Sequence, residues 1–177
     1  MASTVRRILP VEAETYRKVR LSALADSPAA FGSTHANESL LTDLEWEERA
    51  RRSSAGTERA MFFALDGDSV VGLAGGYRPE PDTQTVELVS MWTDPAVRRK
   101  GVGRQMVNAV IDWAREGGAA RVDLWVTRAN APAENLYRAM GFAETGDFQP
   151  LPSDPCKDEV KMRLELQPAE VGRRQRG

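Results

Sequence analysis

The run Arg98-Arg99-Lys100-Gly101-Val102-Gly103-Arg104 joins two segments of different period. Residues 85–93 read as a strand, and residues 102–116 repeat apolar side chains at helical spacing. A basic, glycine-rich turn between strand and helix points several backbone N–H groups at one spot. That spot is a helix N-terminus, where unpaired amides and the positive dipole end favour an anion. Gly101 and Gly103 carry no Cβ, so a phosphate can come close to the main chain. Arg98, Arg99, Lys100 and Arg104 add attraction for a polyanion. The segment reads as a pyrophosphate cradle within an α/β fold.

Two common phosphate loops do not fit. A dinucleotide fingerprint needs a third glycine, and after Gly101-Val102-Gly103 the chain continues Arg104-Gln105-Met106. A nucleotide-triphosphate loop places Ser or Thr after Gly-Lys; here Lys100 precedes the glycine and no hydroxyl follows. The pattern that fits is [R/Q]-x-x-G-x-[G/A] opening a helix, which resembles the coenzyme A loop of the GNAT superfamily of N-acetyltransferases.

Composition narrows the partners. The 177 residues are 41% hydrophobic and 28% charged, suited to one soluble globular domain. A formal net charge of −2 supplies no electrostatic footprint for nucleic acid. Cys156 is the single cysteine, so no internal disulfide forms and a reducing compartment is expected. No apolar run is long enough to cross a bilayer, and residues 1–10 lack the apolar core of a signal peptide. The expected location is the cytoplasm, without membrane partners.

Along the chain, residues 4–9 are expected as a short strand closed by Pro10. Val11, Tyr16, Val19 and Leu24 mark a helix over 11–24, ended by Asp26-Ser27-Pro28. Residues 31–37 read as loop, and 43–52 as a second helix, acidic early and basic late. Strands over 60–65 and 69–78 flank the turn Asp66-Gly67-Asp68. Gly117-Gly118 provides a left-handed stop for the 102–116 helix. A strand over 121–127, a helix over 132–140, and strands over 142–148 and 159–166 around a loop at 149–156 complete the pattern. The order is β-α-α-β-β-β-α-β-α-β-β. It describes a single mixed α/β domain over 1–166, with a tail at 167–177 expected to be disordered.

A second motif is more specific. Asn130-Ala131-Pro132-Ala133-Glu134-Asn135-Leu136-Tyr137-Arg138-Ala139-Met140-Gly141-Phe142 resembles the GNAT pattern N-x-x-A-x-x-L-Y-x-x-x-G-F, one helix and one strand beyond the glycine loop. Read separately, these residues describe only a capped helix with a core Tyr; their joint spacing is what carries the likeness. The resemblance implies a twisted mixed sheet splayed between two strands, with the pantetheine arm of acetyl-CoA, the co-substrate, in the gap. Met91, Trp92 and Thr93 would then offer main-chain hydrogen bonds to it, as an added strand does. Thr93 stands where many relatives carry Val, a change that a backbone role tolerates. An N–H near Met91 would polarise the thioester carbonyl, and Asn130 would bind the coenzyme near the open wedge. The resemblance also implies a homodimer, because many relatives pair through their sheets.

Acetyl transfer to an amine needs a proton acceptor, since a lysine-like amine has a pKa of about 10.4. Glu87 is the candidate base, four residues before Met91 and on its face if no bulge intervenes. Tyr137 is the candidate acid for the departing thiolate. His35 is expected as a surface loop residue, and Trp113 and Trp125 as core. Trp46 is either core or part of an acceptor wall. One His and one Cys far apart form no metal site. By the resemblance, residues 21–52 and 148–157 choose the acceptor; Asp26, Glu38, Asp43, Glu45, Glu47, Glu48 and Asp154 would suit a cationic one. A small-molecule amine is the leading acceptor. A peptide or protein amine, and a non-catalytic acyl-CoA-binding module, are the alternatives.

Overall fold

A computed structural model describes residues 3–128 and 130–166; the tail at 167–177 lies outside the described residues. The elements are β1 (Thr4–Arg7), α1 (Ala13–Asp26), α2 (His35–Ser39), α3 (Asp43–Ser54), β2 (Arg59–Asp66), β3 (Ser69–Tyr77), β4 (Thr85–Thr93), α4 (Val102–Glu116), β5 (Arg121–Thr127), α5 (Ala131–Ala139), β6 (Ala143–Leu151) and β7 (Asp154–Glu165). Short 3₁₀ turns occupy Pro28–Ala30 and Pro95–Val97. The seven strands form one mixed sheet in the order β1-β2-β3-β4-β5-β7-β6.

Local chemistry explains most boundaries. Thr42 and Glu45 make a reciprocal capping box that starts α3. Gly67 (φ 59°) turns β2 into β3, and Gly118 (φ 74°) supplies the left-handed stop after α4. The segment expected as loop at 31–37 instead contains the start of α2, nucleated by the Thr34 hydroxyl accepting from the Asn37 N–H. The loop expected at 149–156 is a tight hairpin, because Pro150 sits on β6, the sheet's edge strand, where no inward N–H is required.

Each sheet face has its own core. On one face α4 and α5 pack Met106, Val107, Val110 and Tyr137 against Ala74, Val86, Leu88, Val122 and Leu124. On the other, Tyr16 and Trp46 of α1 and α3 cover Ile8, Met61, Phe63 and Leu73. Trp46 is therefore core: it is buried and meets Tyr16 edge to face at 5.3 Å. Beside it, Phe31 packs with Ala23, Leu24 and Trp92.

Helix α4 lies close to the sheet because β3 offers it no side chain at Gly76. A Cβ there would stand 2.9 Å from the Trp113 ring and 3.0 Å from Val110. Gly76→Ala is accordingly expected to destabilise the fold by about 1–3 kcal/mol through overpacking, read as a lower urea midpoint at unchanged slope.

Candidate active site

Among the described residues, strands β4 and β5 are the only parallel pair, and their ladder is short. Thr85–Leu88 pairs with Arg121–Leu124, after which the strands separate. The separation has a local cause on β4. Gly75 pairs with Val89 and Leu73 with Trp92, so Ser90 and Met91 together stand opposite Ala74. This is a β-bulge, and Ser90 takes a left-handed φ of 57°. The extra residue reverses the alternation. Val86 and Leu88 face α4, and beyond the bulge so does Met91, while Trp92 turns to the α1 side.

The bulge corrects one expectation. Glu87 and Met91 do not share a face; Glu87 points to the α1–α3 side, where its carboxylate accepts a hydrogen bond from the Tyr77 hydroxyl at 2.8 Å. Partial burial first, and then this carboxylate, push the Tyr77 phenol up to about 12. Glu87 and Met91 thus stand on opposite faces of the sheet, Glu87 near the end of the paired ladder and Met91 where the strands have parted.

A cavity of about 500 Å³ occupies that gap. Met91, Gly103, Leu136 and Tyr137 line it from the α4–α5 face, and Ser27, Ala30, Trp125 and Thr127 from the other. Of the residues expected to hold the coenzyme, Met91, Trp92, Thr93, Arg98, Arg99, Gly101, Gly103, Arg104, Asn130 and Tyr137 line it. Lys100 and Val102 do not: the Val102 side chain is buried in the core, leaving its amide as its contribution, and Lys100 faces solvent. Glu87 lies beside the cavity rather than on its wall.

At the loop end, Gly101 adopts φ 87° and caps α4 without any side-chain bond. The first main-chain bond of the helix runs from Gln105 N–H to Gly101 C=O. The amides of Val102, Gly103 and Arg104 thus have no protein acceptor among the described residues, the arrangement an anion requires. A Cβ on Gly103 would meet Leu136 and Met91 at 3.2 Å each, so glycine also keeps the passage open. Arg98 is differently placed than a free phosphate ligand. Its Nε donates to the Thr93 carbonyl at 3.1 Å, and its Nη2 donates to Asp26.

Tyr137 lines the passage from the α5 side. Its ring meets Phe142 edge to face at 5.8 Å, and its hydroxyl has no hydrogen-bond partner among the described residues. Burial raises the phenol well above its ordinary value, so it remains protonated far into the alkaline range. Asn130 caps α5 by accepting from the Ala133 N–H at 3.4 Å.

On the far face the strand alternation places Trp125, read from the sequence as core, and Glu159, which the sequence did not single out. Trp125, expected in the core, belongs with Asp123 and Thr127 on the face away from α4, because Val122, Leu124 and Val126 are the set that faces α4. It lines the cavity under the Lys161 ammonium, 5.1 Å from its ring centre. Glu159 pairs in register with Thr127, is only 7% exposed, and accepts from Gln149 at 2.6 Å. Burial raises its carboxyl, Gln149 opposes that, and the charge of Glu87 adds to it. The inward run Val160-x-Met162-x-Leu164 was the signal that could have found it.

Most of the carboxylates expected at an acceptor entrance are already engaged. Glu38 is buried between Arg20 and Arg49, Asp43 pairs with Arg17, and Glu48 with Arg51. Glu45 closes the α3 cap, and Asp154 pairs with Lys157. His35 is exposed at the start of α2. No group of three potential metal ligands occurs among the described residues, and none of their helices is long and apolar enough to cross a membrane.

The model of the Acetyltransferase (GNAT) family matches residues 22–142. The chain belongs to this family. Streptothricin acetyltransferase of Streptomyces lavendulae is 36% identical over 100 residues, 56% of this chain and 52% of that one. Mycothiol acetyltransferase of Beutenbergia cavernae is 32% identical over 121 residues, 67% of this chain and 39% of that one. The chain thus spans about half or less of the length of these curated relatives. Among solved structures, spermidine N-acetyltransferase from Vibrio cholerae, in complex with CoA and spermine, superposes with a TM-score of 0.73 at 17% identity, covering 92% of this chain and 95% of that one. This last likeness establishes the GNAT fold and leaves the acceptor to the site itself.

Glu159 also yields a pH prediction. A carboxyl raised in the folded state contributes stability below its unfolded pKa and loses it as pH rises through the folded value. Glu159→Gln is therefore expected to raise the melting temperature at pH 7.5, with the gain vanishing near pH 4, in paired thermal melts.

Proposed function

We propose that this chain is an acetyl-CoA-dependent N-acetyltransferase that transfers acetyl directly to a primary amine of a small molecule. The observation that carries the reading is the passage through the sheet. It has unpaired helix amides and cationic side chains at one end and a buried protonated phenol on its wall, and Glu87 and Glu159 lie beside it on the opposite face of the sheet. Among family relatives, streptothricin and mycothiol acetyltransferases take their names from small molecules.

Acetyl-CoA supplies an activated acyl thioester. The amides of Val102, Gly103 and Arg104, with Arg99, Lys100 and Arg104 around them, hold its pyrophosphate. The splayed main chain at Met91–Thr93 and the Asn130 side chain orient the pantetheine, and the N–H near Met91 polarises the thioester carbonyl. Glu87 accepts the ammonium proton through water, since it stands beside the cavity and not on its wall. Glu159 strengthens the negative potential that draws a cationic amine to that face. Tyr137 gives its proton to the departing sulfur.

Calorimetric titration of the wild-type protein with acetyl-CoA is expected to show micromolar binding. Gly101→Glu, which sets a carboxylate beside the open amides, should abolish it. Thiol release should then appear with small amines, polyamines and amino-acid amines among them, in preference to peptides. Preference for peptides would establish a protein acetyltransferase, and binding without thiol release from any amine would establish a regulatory acyl-CoA module. Tyr137→Phe should lower kcat by about 10²-fold or more while the affinity for acetyl-CoA stays within about twofold. An unchanged kcat removes Tyr137 from the mechanism.

A further inference from the structure

Residues 26–31 run from the end of α1 across the mouth where β4 and β5 part; the buried Phe31 ring anchors their far end, and three polar ties hold them there. On the β4 side, the Asp26 carboxylate accepts from Trp92 Nε1 at 2.9 Å and from Arg98. On the β5 side, the Thr127 hydroxyl donates to the Ala29 carbonyl at 2.7 Å. Beyond β5, the Ser153 hydroxyl in the β6–β7 turn donates to the Phe31 carbonyl. The segment is thus a strap bridging both splayed strands, and its Ser27 and Ala30 line the passage on the acceptor side.

One tie is shared with the other end of the passage. Arg98 lines the same cavity as Gly101 and Gly103, yet its guanidinium is held by Asp26 and by the Thr93 carbonyl. Its side chain is 42% exposed, so it can move. A pyrophosphate at the open amides offers Arg98 more negative charge and more acceptor oxygens than a single carboxylate does. Once Arg98 is drawn away, Asp26 keeps Trp92 and its neighbour Ser27, and the strap loses one tie to the β4 side.

We propose that Asp26 is a positioning residue that couples the two ends of the passage: it holds Arg98 back from the phosphate loop and, through that contact, pins the strap over the acceptor mouth. Filling the phosphate end loosens the acceptor end. The proposal rests on the coenzyme reading given above, and it requires the ligand to interact differently with the two positions of Arg98.

Hydrogen exchange of the full chain, with and without acetyl-CoA, tests it beside calorimetry on variants. On binding, amides at 27–31 should exchange faster while those at 98–104 slow. Asp26→Asn removes the charge but retains an acceptor for Trp92. It should bind acetyl-CoA about threefold to fivefold tighter, the scale of one partly exposed ion pair, and its strap should exchange fast with or without coenzyme. Ser153→Ala loosens the strap at its other end; it should speed strap exchange and, because the coupling is reciprocal, tighten acetyl-CoA binding by less than Asp26→Asn does. A purely structural role for Asp26 predicts equal or weaker binding by Asp26→Asn, and that result overturns the proposal. Slower or unchanged exchange at 27–31 on coenzyme binding overturns it too. Failure of the folded wild type to bind acetyl-CoA overturns the functional reading itself, and this one with it.

Discussion

Strands β4 and β5 share hydrogen bonds over Thr85–Leu88 and Arg121–Leu124 and then diverge, and the rest of the site follows from where that ladder stops. A continuous ladder would seal the sheet, and the α4 and α1 faces would be chemically separate. The bulge at Ser90 keeps β4 paired to β3 on one side while releasing it from β5 on the other. Ladder donors and acceptors on the facing edges are thereby left for something other than a neighbouring strand. Buried backbone groups need partners, and a narrow chain threading the gap can supply them.

The two halves of the site differ in how they are held. The loop end grows out of the main core: Val102 and Met106 are buried in it, and α4 lies against glycine positions of β3. The acceptor end is roofed by a short segment fastened by side-chain hydrogen bonds to β4, β5 and the β6–β7 turn. The buried Arg20–Glu38 pair, with Arg49 outside it, fixes α1 against α2 but leaves little charge for a ligand. Such buried pairs set geometry more than they add stability.

How much of this was legible in the sequence depended on whether the signal was local. Strand Thr85–Thr93, helix Val102–Glu116 and strand Arg121–Thr127 stand where the periodicity put them, because alternation and 3.6-residue repeats act over one element at a time. The helix at His35–Ser39 was missed because five residues are too few to show a period. The β6–β7 hairpin reads as loop because its prolines mimic a turn; Pro150 lies on the edge strand β6, and Pro155 on the stretch of β7 before it pairs with β5. The cradle was readable from Gly101 and Gly103, since glycine marks close approach directly. The bulge was not, because Ser90 is no glycine and its conformation follows from pairing with β3. The acceptor face was misread for the same reason. Whether Glu38, Glu87, Trp125 or Glu159 faces a ligand is decided by strand parity and by the partners each finds, neither of which is written beside it in the chain.

The strap has a consequence for how such a molecule can change over generations. Alterations to the donor half must respect the packing of a buried helix on a bare strand, so they endanger folding itself. The acceptor half is bounded by small side chains, Ser27 and Ala30, on a segment attached through a handful of polar contacts and one buried ring, Phe31. Exchanges there reshape the opening while barely touching the core. On the function proposed above, a chain built this way can change its acceptor opening at less cost to folding than its coenzyme end.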